Sequence, residues 1–385
     1  MKKVKKLFND MDKPLLLLTI FMIGYGLLNI VTASSRQAVS QDVALYHYFF
    51  KQSEMLIAAL IGSLVIINLN TKSYKLFGPL AYFVVLGLLI YLSMSGEAHR
   101  GSINWVKIAG IQFQPSEFAK PVLIVCAATI FDYLYKPLRT KGKNHFNLIG
   151  FILFIGCLFP FIVLYQKDLG TGTILLGIFG IMFLASPILK IDKFKVISVL
   201  LGLSVFVLLV ISLSGKSIFS EEQKERLDYK NPCSNYEDGG YQVCNAIIAI
   251  NDGGLTGLGI GKSKQKYSYI PEPHTDSVFA IIAEEYGLLF CTVLFIVYAL
   301  ILQRIFTVSS KAHTTRGRLL ALGIGVYLFL HIFINLGGLF AVVPLTGVPL
   351  PFLSYGGTFT ISLICSIAIV QRVCIETKNK KIEVK

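Results

Sequence analysis

Long stretches without a charged residue constrain the fold of this chain more than any other feature of its sequence. No Asp, Glu, Lys or Arg occurs between Arg318 and Arg372. A helix that crosses the hydrocarbon core of a bilayer needs about 20 mainly apolar residues, so this stretch is long enough for two helices if the Pro- and Gly-rich residues 344–357 turn between them. Only 15% of all residues are charged, whereas soluble globular proteins average about 25%. The sequence therefore predicts a membrane-embedded chain and excludes a disordered, collagen-like or disulfide-scaffold one.

The same criterion, applied to the whole chain, predicts the fold class. It is an all-α, polytopic integral membrane protein whose ten transmembrane helices form one membrane domain over residues 1–385. The fourth helix is unusual because it carries Glu117 and Lys120 near its start. A large loop, residues 215–277, separates the seventh and eighth helices. The predicted helices cover residues 14–34, 53–71, 76–95, 115–133, 147–165, 169–188, 195–214, 278–303, 319–343 and 356–373.

The net charge of +14 predicts the orientation of these helices. Most Lys and Arg residues lie at the two termini and in the loops of one face, and loops rich in basic residues stay in the cytoplasm. Because ten crossings place both termini on the same side, we expect both to be cytoplasmic and the 215–277 loop to be extracellular. The basic excess is then a signal of topology, and no nucleic-acid partner is expected.

Polar residues at membrane depth are concentrated toward the predicted outer face of the membrane. They lie in segments 101–120, 166–171, 226–285 and 344–357. Such residues usually face a protein interior or a water-filled cavity. Glu117 and Lys120 stand three apart and share a helix face. They form either an ion pair at a helix start or a polar wall in which Lys120 attracts an anion such as a phosphate, and their place inside a span favours the wall. Lys262, Lys264 and Lys266 follow a Gly-rich stretch and offer a rim that favours anions.

Asp276 lies where the long loop leads into the eighth helix. It is either an N-cap carboxylate or a carboxylate that accepts a proton from a bound hydroxyl. Cys233 and Cys244 lie outside the spans, where oxidising conditions can link them, and we predict that disulfide. No HExxH or CxxC spacing occurs, so no protein-built metal site is predicted.

Four motifs, in their order along the chain, resemble those of the SEDS family (shape, elongation, division and sporulation). The resemblance covers residues 14–372, and the cysteine-bearing loop is similar to that of FtsW-type members. The motifs are QPSEFAK, QKDLGTGT, GGLTGLGIGKSKQK with PEPHTDSVFAIIAEEYG, and GVPLPFLSYGG.

The resemblance implies a peptidoglycan glycosyltransferase that polymerises lipid II into glycan strands at the outer face of the bacterial plasma membrane, during cell division or elongation. It implies that Asp276 is the catalytic base. Lys120, Arg226 or the rim at residues 262–266 would offset charge on the leaving group. The substrate-binding candidates are Trp105, Gln114, Ser116, Glu117, Lys120, Gln166, Asp168, Arg226, Lys264, Gln265, Glu272, His274, Thr275 and Ser354.

The resemblance also implies partners. Besides the substrate lipid II, they are a class B penicillin-binding protein, which is a transpeptidase, and other membrane proteins of the divisome or elongasome. A divalent cation, Mg²⁺ or Mn²⁺, could bridge the substrate pyrophosphate, although no motif is dedicated to it. Two other functions stay open. A lipid II flippase needs polar residues along a continuous path, and a noncatalytic scaffold does not need Asp276. The clustering of charges in the outer half favours the enzyme.

Overall fold

A computed structural model describes residues 7–95, 104–108, 111–140, 145–214, 231–234, 240–268 and 270–383. Within this part of the chain, a long helix lies at each of the ten predicted spans. These helices are α1 (Lys13–Ser40), α2 (His47–Asn68), α3 (Tyr74–Ser95), α4 (Pro115–Tyr133), α5 (Phe146–Tyr165), α6 (Leu169–Ala185), α7 (Lys190–Ser214), α8 (Val278–Lys311), α9 (Thr315–Leu339) and α10 (Gly357–Glu383).

Seven of these helices are long and apolar enough to cross a membrane: α1, α2, α3, α5, α8, α9 and α10. Helix α6 is apolar but has only 17 residues. Among the seven, α9 and α10 are the most buried in protein and α2 is the least. Large apolar side chains such as Leu60 and Leu64 on α2 are exposed, as expected of a surface that faces lipid tails. The chain is therefore a multi-pass membrane protein.

Several boundaries differ from the sequence-based prediction: the observed helices are longer at the end of α1 (Ser40), the start of α2 (His47), the start of α7 (Lys190), the end of α8 (Lys311) and the end of α10 (Glu383). Helix α9 ends at Leu339, four residues before the predicted boundary, because Val342 and Val343 donate hydrogen bonds back to the Gly337 carbonyl in a turn. Residues 340–356, which join α9 to α10, form a connecting segment. The 215–277 region is also more than a loop, since it contains a 13-residue helix, Tyr241–Gly253, called the loop helix.

The shorter elements lie next to the ends of the long helices. Strands β1 (Val106–Ile108) and β2 (Ile111–Phe113) form an antiparallel hairpin in which Val106 pairs with Phe113. This hairpin leads directly into Gln114 and α4. Short helices lie at Tyr135–Arg139 and Gln265–Ser268.

Helix α8 is interrupted at Gly287, whose φ of 78° and ψ of 175° are not helical. The break frees backbone groups that must find other partners in a membrane protein. Residues 254–261, called the Gly-rich segment, supply them: the amides of Leu258 and Gly259 donate to the carbonyls of Glu284 and Glu285 at 2.9 and 3.0 Å. A Cβ at Gly287 would lie 2.4 Å from the Gly257 nitrogen, so only glycine fits here.

Contacts at one end of the bundle place the start of α1 beside α10 and the C-terminal part of α8. The Asp12 amide, just before α1, donates to Oε1 of Gln371 on α10 at 2.8 Å. The Asp12 carboxylate also pairs with Arg304, near the C-terminal end of α8, at 2.6 Å. Asp276 lies two residues before the start of the same helix, and the 28 residues from Asp276 to Arg304 correspond to about 40 Å of helix at 1.5 Å per residue. Asp12 and Asp276 are therefore at opposite ends of the bundle.

Candidate functional site

Asp276 lies in the turn that leads into α8 and is partly buried. Its Oδ1 accepts hydrogen bonds from Nε2 of Gln242 at 3.1 Å and from Oγ1 of Thr275 at 3.4 Å. Its backbone carbonyl accepts from Nδ2 of Asn335 on α9 at 2.7 Å. The N-cap interpretation is wrong, because the N-cap residue of α8 is Ser277 and no side-chain cap bond forms. The carboxylate is thus held by the loop helix and not by α8.

The surroundings of Asp276 favour its protonated form. Burial raises the pKa of its carboxyl from 3.8 to about 6, and the negative charge of Glu272 also raises it. The hydrogen bonds from Gln242 and Thr275 oppose this shift because they stabilise the ionised form. A carboxyl whose pKa lies near neutrality suits general base catalysis, since it can both accept and release a proton.

The connecting segment borders Asp276 on another side. A Cβ at Gly347, whose φ is 71°, would lie 3.8 Å from Oδ2 of Asp276. A Cβ at Gly170, near the start of α6, would lie 2.8 Å from side-chain atoms of Thr346 and Val348. Residues 346–348 therefore lie between Asp276 and the start of α6. Asn335 fixes this arrangement, because its Nδ2 also donates to the Val348 carbonyl at 2.8 Å.

Asp168 and Gln114, two predicted substrate-binding residues, lie together at the start of α6. Asp168 is the N-cap residue of α6, and its Oδ1 accepts from the amide of Thr171 at 3.0 Å. Nε2 of Gln114 donates to Oδ2 of Asp168 at 3.4 Å. The backbone amide of Gln114 donates to Oγ1 of Thr358 on α10 at 3.2 Å. The arrangement joins the first turns of α4, α6 and α10.

Gln166 and Ser354, also predicted to bind substrate, make buried bonds to the protein itself. Nε2 of Gln166 donates to the Leu89 carbonyl at 2.8 Å and to Oγ of Ser93 at 2.9 Å, both on α3. Oγ of Ser354 accepts from the Leu350 amide at 2.8 Å. In the structure these two side chains hold the backbone in place, and their contact with substrate stays a prediction.

Glu117 and Lys120 form a buried ion pair. Lys120 is 0% exposed, and its Nζ lies 2.6 Å from Oε1 of Glu117. The rings of Tyr327 and Phe359 lie 5.7 and 5.8 Å from the same Nζ. Of the two interpretations of these residues, the ion pair is the one observed. The ammonium group of Lys120 is buried and does not lie at a surface. Oγ of Ser116 is buried beside this pair in α4 without a hydrogen-bond partner among the described residues.

His274 is buried between two tyrosines. Its ring centroid lies 4.7 Å from that of Tyr48 on α2 and 5.3 Å from that of Tyr355. Its carbonyl accepts from the Tyr355 amide at 2.8 Å. Burial lowers the pKa of His274 to about 4, so the imidazole is neutral at physiological pH. Glu272 shares this turn, because its carbonyl accepts from Oγ1 of Thr275 at 2.8 Å.

Two buried glutamates of α8 contact the predicted basic rim, and one of them binds a lysine side chain of the rim. Lys262 and Lys264 are exposed, as expected. Lys266 contradicts the prediction, because it is 1% exposed and its Nζ bonds to Oε1 of Glu285 at 2.7 Å. Two positive charges, not three, are therefore free to meet an anion at this place.

Glu284 fixes the backbone of the same rim. Its Oε1 accepts from the Lys264 amide at 2.7 Å, and its Oε2 accepts from Oγ of Ser263 at 2.5 Å. The Gln265 amide also lies 3.3 Å from Oε2, and Gln265 is buried. The conformation of the rim thus depends on a carboxylate from the first turns of α8.

Trp105, Cys233 and Cys244 are the remaining predicted residues that the structure describes. Trp105 is 41% exposed and immediately precedes the β1–β2 hairpin. Arg226 lies outside the described residues. Cys233 and Cys244 are joined in a disulfide with their Cα atoms 4.9 Å apart. Within the described ranges, no group of three or more His, Cys, Asp or Glu side chains is placed to hold a metal ion.

Two residues that hold Asp276, Gln242 and Asn335, were not predicted from the sequence. Asn335 carried a usable signal, because an amide side chain inside an apolar span usually faces a protein interior. Gln242 carried none, because a glutamine in a polar loop has no distinguishing feature.

Comparisons with known proteins identify the family of this chain. The family model for FtsW, RodA and SpoVE, described as "Cell cycle protein", matches residues 13–379. Stage V sporulation protein E of Bacillus subtilis is 31% identical, over 94% of this chain and 96% of that protein. A protein named probable peptidoglycan glycosyltransferase FtsW, also of Bacillus subtilis, is 32% identical, over 98% of this chain and 94% of its own length.

Solved structures show the same fold. A chain from a study of polymerization and crosslinking by a peptidoglycan synthase complex superposes with a TM-score of 0.73 at 22% identity, over 95% of this chain and 98% of that one. The rod shape determining protein RodA of Thermus thermophilus gives a TM-score of 0.66 at 22% identity, over 94% of this chain and 96% of that one. The resemblance found in the sequence is confirmed, and the chain belongs to the FtsW, RodA and SpoVE family of cell cycle proteins.

Proposed function

We propose that this protein is a peptidoglycan glycosyltransferase, an enzyme that polymerises lipid II into glycan strands during cell division or elongation. The observation that carries the proposal is the Asp276 carboxyl, which is partly buried, has a pKa raised to about 6 and is held by Gln242 and Asn335. A relative 32% identical to this chain is named a probable peptidoglycan glycosyltransferase, which supports the reaction class.

Asp276 is the proposed general base. The acceptor GlcNAc 4-hydroxyl attacks the anomeric carbon of the donor MurNAc, and the bond from that carbon to undecaprenyl pyrophosphate breaks. Asp276 takes the hydroxyl proton as the new glycosidic bond forms. Its Oδ1 already accepts bonds from Gln242 and Thr275, so Oδ2, which lies against Gly347, is the oxygen left to receive the proton.

Cationic side chains offset the charge of the leaving pyrophosphate in this proposal. The exposed Lys262 and Lys264, together with Arg226, are the candidates, because Lys120 is neutralised by Glu117. A divalent cation that bridges the pyrophosphate is a further proposal. The described carboxylates do not gather into a metal site, so such an ion would be held mainly by substrate oxygens, and no step of the reaction is assigned to it.

The catalytic face is proposed to be extracellular, and all ten long helices are proposed to cross the membrane. Asp276 and the chain ends lie at opposite ends of α8, as the Asp12–Arg304 and Asp12–Gln371 contacts require. Since the basic termini favour the cytoplasm, Asp276 belongs to the outer face. A class B penicillin-binding protein is the proposed partner, with other divisome or elongasome membrane proteins, and the fold shared with a chain of a peptidoglycan synthase complex supports such an assembly.

The test is polymerisation of lipid II by the purified full-length protein, with and without its transpeptidase partner. Asp276→Asn keeps the size of the side chain and an oxygen that can accept from Gln242, but it removes the base. We expect a loss of about 100-fold or more in rate. Asp252→Asn, which changes an exposed carboxylate at the end of the loop helix, is the matched control and retains the wild-type rate.

A wild-type rate in the Asp276→Asn protein would show that Asp276 is not the base. If the wild-type protein makes no glycan but moves fluorescent lipid II across a vesicle bilayer, the enzyme proposal is wrong and the flippase is right. Neither activity in the presence of the partner would indicate the scaffold.

A further inference from the structure

The side-chain amide of Gln242 bridges two residues at the start of α8. Its Nε2 donates to Oδ1 of Asp276 at 3.1 Å and to Oγ of Ser277 at 2.9 Å. Both protons of the amide group are therefore used on the turn that carries the proposed base. Among the described residues, no other side chain from outside that turn donates a hydrogen bond to the Asp276 carboxylate.

The loop helix that carries Gln242 is itself held at both ends. Two residues after Gln242, Cys244 is buried and bonded to Cys233. At the other end, a Cβ on Gly253 would lie 2.1 Å from the Ala283 carbonyl oxygen, so the loop helix packs directly on the backbone of α8. An amide on an anchored helix has a fixed place relative to its acceptor, which gives it a positioning role that a mobile loop lacks.

We propose that Gln242 is a positioning residue, which fixes Oδ1 of Asp276 and so leaves Oδ2, the oxygen against Gly347, to take the proton from the acceptor hydroxyl. This inference rests on the proposed function and adds a residue to its machinery. Gln242 touches no reacting atom in this scheme and acts only through Asp276.

The charged and titratable groups that face Asp276 come from its own turn. Glu272 raises the pKa of Asp276 by its negative charge, whereas the His274 ring is neutral near pH 7 and lies against Tyr48 and Tyr355. The other described elements packed on this carboxyl present neutral groups: Gln242 from the loop helix, Asn335 from α9 and Gly347 from the connecting segment. The Gln242 amide is the group from outside the turn that stabilises the ionised form.

Gln242→Met is the informative variant, because methionine has nearly the same length and lacks the donor. Loss of the bond destabilises the ionised carboxylate, so the pKa of Asp276 rises. The acidic limb of the lipid II polymerisation rate is expected to move to higher pH by about one pH unit. Gln242→Glu replaces the donor with a negative charge, so the acidic limb of the pH–rate profile is expected to move to still higher pH. The matched control is Asn251→Met, at an exposed position of the same helix.

A second measurement does not depend on activity. Dicyclohexylcarbodiimide reacts with protonated carboxyls, so the extent of Asp276 labelling against pH, read by peptide mass spectrometry, gives the midpoint of its titration. The midpoint is expected to rise by about one pH unit in Gln242→Met and to stay unchanged in Asn251→Met. This assay gives an answer even if the wild-type protein makes no glycan, which would count against the proposed function alone.

A lower rate in Gln242→Met at every pH, with an unshifted limb and an unshifted labelling midpoint, would overturn the inference and leave Gln242 with a purely structural role. If Gln242→Met does not fold, Gln242→Glu is decisive by the same two measurements, since it keeps the shape of glutamine. An unshifted midpoint in Gln242→Glu equally overturns the inference.

Discussion

At the scale of single residues, the chemistry of the site depends on a balance at Asp276. Burial and the charge of Glu272 raise the pKa of its carboxyl, and hydrogen bonds from Gln242 and Thr275 lower it. Because the proposed general base must be ionised, we expect activity to be half-maximal near pH 6, to rise above this value and to be lost below it. Each of these neighbours can therefore be tested by the direction in which its replacement moves the pH profile.

Glu272→Gln removes a negative charge close to Asp276 at nearly constant shape. The ionised form of Asp276 is then favoured, so its pKa falls and the acidic limb of polymerisation moves to lower pH, by roughly half a pH unit. The measurement is the rate of lipid II polymerisation from about pH 4.5 to about pH 8, which brackets the expected midpoint. A shift to higher pH, or none, would mean that Glu272 does not act on Asp276 by its charge. The direction is opposite to that expected for Gln242→Met.

Asp276 can be singled out as a candidate from the sequence, but the residues that hold it cannot. Asp276 can be found from the sequence because it lies in a recognisable motif, where a polar loop meets an apolar helix. Gln242 and Asn335 are 34 and 59 residues away from it along the chain, and only the packing of the loop helix and α9 brings them there. The same limit explains Lys266, which looks like an exposed lysine in the sequence and is buried because Glu285 lies beside it.

At the scale of elements, the interruption of α8 is what allows the Gly-rich segment to form hydrogen bonds with the backbone of that helix. The apolar run after Glu285 predicts an uninterrupted helix, and one glycine in such a run is not evidence of a break. The break is visible only in three dimensions, where Leu288 donates to the Gly254 carbonyl at 2.9 Å. Two carboxylates just before the break, Glu284 and Glu285, bond to Lys264 and Lys266, which follow the Gly-rich segment.

Gly287→Ala is expected to destabilise the protein strongly. An added Cβ would meet the Gly257 nitrogen at 2.4 Å and the Leu255 oxygen at 2.5 Å, in a backbone conformation that alanine rarely adopts. We expect a loss of about 2 kcal/mol or more. Gly180→Ala in α6, where nothing lies within 4 Å of the new Cβ, is the control and should be neutral or slightly stabilising. Thermal unfolding in detergent compares them, and equal melting temperatures would contradict this expectation.

At the scale of the whole molecule, the inner helices carry the polar chemistry and the outer ones face lipid. Helix α4 shows the arrangement well, because its Glu117 and Lys120 are covered by α9 and α10 through Tyr327 and Phe359. Composition and the spacing of charges are enough to place the ten helices along the chain. The order in which they pack cannot be obtained this way, because every apolar helix has a similar surface and neighbours are selected by side-chain fit.

The orientation can be tested with single cysteines in intact cells. Thr256→Cys is at an exposed position of the Gly-rich segment, and Lys311→Cys is at the C-terminal end of α8. A membrane-impermeant maleimide should label the first and not the second. The background replaces the exposed Cys157 by serine and keeps the Cys233–Cys244 disulfide. Labelling of Lys311→Cys alone would place Asp276 on the cytoplasmic side.

The long-range bonds around Asp276 have a consequence for biosynthesis. The turn that carries it is held by Asn335 in α9 and by the Tyr355 amide, which lies just before α10. A nascent chain in which α8 is the last inserted helix therefore lacks these contacts, even when its 215–277 region is complete. The proposed base therefore reaches its final environment only after α9 and α10 have been inserted, and we expect chains that lack these two helices to be inactive.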